Sequence, residues 1–152
     1  MREVWKHIHP EQLYYCYECS RCTGSCPAAM VFDIPGPRRI LINCLYSGPN
    51  QVIREEGLWY CTTCHVCEDR CPQEIHIAEL LTALMNAAAA KGNIPEKVRA
   101  AVDKIARTGR SVVTYRVDLE RNRFGLPPLR PINVQEVEAI ARRTGLFDKI
   151  EH

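Results

Sequence analysis

Cys16-Tyr17-Glu18-Cys19-Ser20-Arg21-Cys22-Thr23-Gly24-Ser25-Cys26-Pro27 has the spacing C-x2-C-x2-C-x3-C-P, and Cys61-Thr62-Thr63-Cys64-His65-Val66-Cys67-Glu68-Asp69-Arg70-Cys71-Pro72 repeats it without a gap. Eight of the nine cysteines in the 152 residues fall in these two runs. So many cysteines mean either a disulfide framework in an oxidising compartment or metal ligation in a reducing one. Met1 to Pro10 show neither the apolar stretch nor the small-residue cleavage site of a secretory signal, which favours ligation. The longest apolar stretch, Ala83 to Ala90, is interrupted by Asn86 and falls well short of the ~20 residues a membrane span needs. The expectation is a soluble, cytoplasmic protein.

The spacing has a chemical reason. Three cysteines at intervals of three let one tight loop wrap a cubane and present three thiolates to it. The fourth lies beyond that loop, and the proline after it turns the chain away. In the bacterial ferredoxin arrangement this fourth cysteine ligates the other cluster. On that pattern one [4Fe–4S] cluster takes Cys16, Cys19, Cys22 and Cys71, and the second takes Cys61, Cys64, Cys67 and Cys26. A zinc site more usually uses separated C-x2-C pairs or mixed Cys and His ligands, with no need of a third cysteine in register. Gly24 is a place where backbone without a Cβ could come close to the inorganic core. His65, Glu68, Asp69 and Arg70 of the second run read as solvated loop residues. The alternative is that unlike charge around the two clusters separates their potentials.

The rest of the composition is that of one soluble domain, with 46% hydrophobic and 25% charged residues. A formal net charge of +2 gives no nucleic-acid footprint. Two ligated clusters, each contributing −2 with its four thiolates, would turn that +2 into −2. The charge is uneven: residues 1–90 carry 7 basic and 10 acidic side chains, residues 91–152 carry 13 and 8. The basic part is the one without ligand cysteines.

The 34 residues between the runs have room for two helices. Pro37 at the start and Gly48 past the end bracket one, with Ile40, Leu41, Cys44 and Leu45 on its apolar face. A second short helix is predicted from Pro49 to Glu56, stopped by Gly57. Cys44, the ninth cysteine, reads as a small buried hydrophobe. Strong helices are predicted over 77–91, ended by Gly92, and over 95–108, with Val98, Ala101, Val102 and Ile105 at helical spacing before Gly109. Ser111 to Val117 is β-like but solitary, and Phe124 to Pro131 is extended by its prolines. Asn133 and Glu136 form a capping signal for a last helix carrying Val134, Val137, Ile140 and Ala141, stopped by Gly145. The expected fold is mainly α: a helical dicluster domain over residues 1–109, then an extended arm and terminal helix over 110–152 that pack back or dock a partner.

These residues resemble the alpha-helical ferredoxin type, and most closely the C-type iron–sulfur subunit of heterodisulfide reductase. The match rests on both cysteine runs, the helical insert beginning Pro37-Arg38-Arg39, Trp59-Tyr60-Cys61 leading into the second run, and Ile75-His76-Ile77 leading out of it into a long helix. It covers residues 11–95. The runs alone are shared with iron–sulfur subunits of the succinate dehydrogenase type and their relatives. The resemblance implies an electron-transfer subunit that takes electrons from a flavin and iron–sulfur subunit of A type. It would pass them to a B-type subunit, with two cysteine-rich CCG motifs, that cleaves a disulfide. The chain has no C-x-x-C pair outside the two runs and no Gly-rich dinucleotide fingerprint, so neither catalysis nor a small-molecule substrate of its own is expected. The alternatives are a freestanding dicluster carrier and the iron–sulfur subunit of another respiratory-type oxidoreductase.

Overall fold

Pro10, Pro27, Pro37 and Pro49 each open a helix, where a missing N–H removes no hydrogen bond and the fixed φ is already helical. The computed structural model describes residues 9–112, 114 and 116–150, and among these every regular element is a helix. The signal-peptide reading of the N-terminus, which rests mostly on residues 1–8, lies outside them. In chain order the helices are α1 (Pro10–Leu13), α2 (Arg21–Gly24), α3 (Pro27–Val31), α4 (Pro37–Tyr46), α5 (Pro49–Val52), α6 (Val66–Asp69), α7 (Ile77–Ala90), α8 (Glu96–Thr108), α9 (Val117–Arg123), α10 (Val134–Arg143) and α11 (Leu146–Ile150). A 3-10 turn at Glu56–Tyr60 stands between α5 and α6. No helix among the described residues is long and apolar enough to cross a membrane. The chain divides into two compact units, Met1–Asn93 and Ile94–His152, and α8 belongs to the second.

The first unit is built on α7. Ile77, Ala78, Leu80, Leu81, Leu84 and Ala88 are buried along one stripe of this helix, which packs on α4, α6 and the 3-10 turn. Opposite them α4 buries Ile40, Leu41 and Cys44, the face expected from the periodicity. Leu13, Val52, Leu58 and Ile75 complete a core in which each fully buried aliphatic side chain contributes about 1.5–3 kcal/mol. The end of α7 is pinned twice. Lys91 Nζ donates to Asn50 Oδ1 at 2.9 Å, and Trp59 Nε1 donates to the Asn93 carbonyl at 3.1 Å. Between Val52 and the second cysteine run the prediction needs correction. The helix ends at Val52, and Gly57 sits inside the 3-10 turn instead of stopping a helix. Its missing Cβ leaves space for the Pro35 ring.

In the second unit α8 packs on α10 and α11, yet among its described residues only Ala106, Ala141 and Ile150 are buried. The Asn133 cap forms as expected, its side chain accepting from the Glu136 N–H at 3.3 Å. Gly109 ends α8 with φ +67°, and any Cβ there would collide with Ile132. Ile105, Val134 and Ile140, expected to pack, are exposed. Of the β-like stretch, Val113 and Tyr115 lie outside the described residues, and Val117 begins α9. The proline-rich segment carries no regular secondary structure from Leu126 onward and is tied down. Arg121 Nε donates to the Pro127 carbonyl at 2.7 Å, the Leu129 N–H to Asp118 at 2.9 Å, and Arg110 to the Arg130 carbonyl at 2.8 Å.

Candidate metal centre

The sequence repeat is also a backbone repeat. After the first cysteine of each run the chain enters the left-handed region twice, at Glu18 (φ 59°) and Ser20 (64°) in one run and at Thr63 (52°) and His65 (61°) in the other. Ser20 and His65 then precede one-turn helices, α2 and α6, whose second residues are Cys22 and Cys67. Each left-handed non-glycine residue costs roughly 1–2 kcal/mol, most conspicuously at the β-branched Thr63. Such strain, repeated at matched positions, marks a site whose geometry is imposed by what it must hold. Gly24, read as a place of close approach, is not among these left-handed positions; it is the last residue of α2, between Cys22 and Cys26.

The loops place their sulfurs alike. Cys22 and Cys67 are buried in the hydrophobic core, Cys16, Cys26, Cys61 and Cys71 are half-buried, and Cys19 and Cys64 are exposed. No disulfide joins any of the nine cysteines. The loops pack α2 against α6 and enclose two hollows. One, with about 490 Å³ of space partly open to solvent, is lined by Cys61, Cys64 and Cys67 together with Cys26. The other, about 330 Å³, is lined by Cys16, Cys19 and Cys22 together with Cys71. Three cysteines of one run and the last cysteine of the other therefore surround each hollow. Among the described residues no three His, Cys, Asp or Glu side chains converge closely enough to hold a single ion. Four thiols around a hollow are the donor set of a multi-iron cubane.

Burial favours the protonated form of three of these thiols, Cys22, Cys61 and Cys67, until metal arrives. It pushes Cys22 and Cys61 upward, and with the nearby Glu68 carboxylate it pushes Cys67 to about 12. Metal binding must therefore release protons, and the binding energy becomes part of the folding energy. The Ile75 N–H donates to Cys71 Sγ at 3.4 Å, the kind of bond that offsets thiolate charge. Cys44, buried on α4, is pushed to about 11 by desolvation, so its thiol is an inert core group.

Glu68, read from the sequence as a solvated loop residue, needs correction. Its side chain is partly buried, and its carboxylate accepts the Ala78 and Glu79 N–H groups at 2.9 and 3.1 Å, capping the first turn of α7 from ten residues upstream. His65 Nδ1 lies 2.8 Å from its other oxygen. Burial works against ionisation, but the bonds from His65 and the two amides outweigh it and hold the carboxyl below its ordinary value. The neighbouring Asp69 and Arg70 are exposed, as solvated loop residues should be. In the first run Glu18 has a different part, accepting from Arg38 at 2.8 Å.

Residues 11–75 match the family described as 4Fe-4S dicluster domain. Over 142 residues the chain is 34% identical to the C 2 iron-sulfur subunit of the CoB--CoM heterodisulfide reductase of Methanocaldococcus jannaschii, an alignment covering 89% of this chain and 75% of that protein.

Proposed function

The chain belongs to the family of C-type iron–sulfur subunits of heterodisulfide reductase, and on that premise we propose that it is the electron-transfer subunit of a heterodisulfide-reductase-like complex, set between a flavin and iron–sulfur subunit of A type and a disulfide-reducing subunit of B type. Two [4Fe–4S] clusters, when bound, supply one-electron transfer. Cys16, Cys19, Cys22 and Cys71 would hold one, and Cys26, Cys61, Cys64 and Cys67 the other. The observation that carries the reading is the crossing of the two runs around two separate hollows.

The chain's own residues then have distinct tasks. Cys22 and Cys67 join each site to the hydrophobic core, which excludes water on that side. Cys19 and Cys64 keep an edge of each site at the surface, where a redox partner can approach. Cys44, protonated and buried, supports a role without disulfide chemistry in this chain. The eight thiolate ligands suit a reducing compartment such as the cytoplasm.

Residues 110–152 are read as a partner-docking tail. Leu119, Phe124, Leu126 and Ile140 are exposed there, and an apolar surface amid an excess of basic side chains suits a protein partner of the same complex better than nucleic acid or a membrane. The test is anaerobic affinity purification from the native host, with mass spectrometry of co-eluting chains. A flavin-bearing chain and a CCG-motif chain should accompany the protein. A monomer that retains its iron would replace the role within a complex with that of a freestanding carrier.

A further inference from the structure

The two halves of the repeat offer each site nearly the same backbone: matched left-handed residues, matched one-turn helices, and ligand cysteines of matched exposure. Backbone dipoles therefore act nearly alike on both, apart from the Ile75 N–H on Cys71 Sγ, which itself favours charge on the first site, and the larger differences are in side chains. These differ at corresponding positions. Arg21 in the first run corresponds to Val66 in the second, and Thr23 corresponds to Glu68. Arg21 lines the Cys16–Cys19–Cys22–Cys71 hollow together with Arg38, Tyr17 and Gln73 and the aliphatic Ile75 and Ile77. Glu18 pairs with Arg38 and offsets part of its charge, which leaves Arg21 as the principal cation. The other hollow is faced by Ile34, Pro35, Ile40, Ala78 and Leu81, with the hydroxyls of Thr62 and Thr63 and the imidazole of His65 as its polar groups. Glu68 sits against that imidazole and directly follows the ligand Cys67 in the chain.

Reduction adds a negative charge to a site that is already anionic. A nearby guanidinium favours that charge and a carboxylate disfavours it, while aliphatic walls are common to both hollows. We infer that Arg21 holds the Cys16–Cys19–Cys22–Cys71 site at the higher reduction potential of the two, and that Glu68 holds the Cys26–Cys61–Cys64–Cys67 site lower. This rests on the cofactor reading above. An unequal pair gives the relay a direction, and Arg21 and Glu68 are the positions that set it.

The experiment is an EPR-monitored redox titration of the anaerobically purified full chain, with Arg21→Gln, Arg21→Glu and Glu68→Gln as variants. Arg21 is exposed and outside the core, so its variants should fold. Arg21→Gln should lower the higher midpoint and leave the other in place, and Arg21→Glu should lower it further. Glu68→Gln, which retains an acceptor for the α7 amides, should raise the lower midpoint alone. Two [4Fe–4S] signals whose midpoints do not respond to Arg21→Glu would overturn the inference and leave the cofactor reading standing. So would a response confined to the lower midpoint. A protein without [4Fe–4S] signals would overturn both.

Discussion

Replacing Glu68 by alanine should loosen the start of α7 without touching a ligand. Its carboxylate accepts two amide hydrogens of the first turn, from Ala78 at 2.9 Å and Glu79 at 3.1 Å, so the substitution leaves both donors without that partner. Losing a side-chain cap costs roughly 0.5–2 kcal/mol. Losing a negative charge at the positive end of a helix costs roughly 0.3–1 kcal/mol more. The sum, about 1–3 kcal/mol, corresponds to roughly 5–150-fold at 1.4 kcal/mol per tenfold. Native-state hydrogen exchange of the Ala78 and Glu79 amides reads this opening directly, with no need to unfold a cluster protein irreversibly. Glu68→Gln, keeping an acceptor but not the charge, should accelerate exchange only about 2–5-fold. The pH dependence has a definite sign. The folded carboxyl lies below its ordinary 4.5, so the stabilisation is complete above that pH and is lost as pH falls through the folded value. Exchange in Glu68→Ala indistinguishable from wild type would refute the capping argument.

Three further outcomes follow from the geometry. If the runs cross, Cys71→Ala and Cys19→Ala should eliminate the same EPR signal, and Cys26→Ala and Cys64→Ala the other; Cys71→Ala pairing with Cys64→Ala would mean that each run binds its own cluster. Cys44, raised from 9.0 to about 11, should resist alkylation in the native protein, and because the unfolded thiol ionises first its burial should cost stability as pH rises from 9 to 11, by roughly 2–3 kcal/mol. That slope should vanish in Cys44→Ala; an unchanged slope would place its origin elsewhere. Gly109→Ala forces a Cβ into a left-handed residue and against Ile132, so the C-terminal unit should lose at least about 1–2 kcal/mol, seen as earlier proteolysis of residues 110–150, whereas a fully protected variant would contradict the close approach.

What the sequence revealed depended on how local the cause was. The cysteine spacing is a local ruler, and so were the caps and stops of α4, α7, α8 and α10. Pro37, Gly92, Gly109 and Asn133 act within a turn of themselves. Periodicity identified the apolar faces of α8 and α10 but not whether anything covers them, and Ile105 and Ile140 remain exposed. Glu68 was illegible because its partners lie ten and eleven residues away, brought to it by the fold of the second loop. The left-handed residues were missed for the opposite reason. Propensity assigns such positions to glycine, and Gly24 drew attention, while the loops impose the conformation on Glu18, Ser20, Thr63 and His65. Short helices such as α3, α9 and α11 carry too few residues for a pattern to declare itself.

Iron, acid-labile sulfide and zinc content of the anaerobically purified chain tests the central claim most directly. Two cubanes ligated by eight cysteines require about eight irons and eight sulfides per chain, with zinc absent. Stoichiometric zinc without sulfide, or about four irons with half the cysteines still alkylatable, would contradict it.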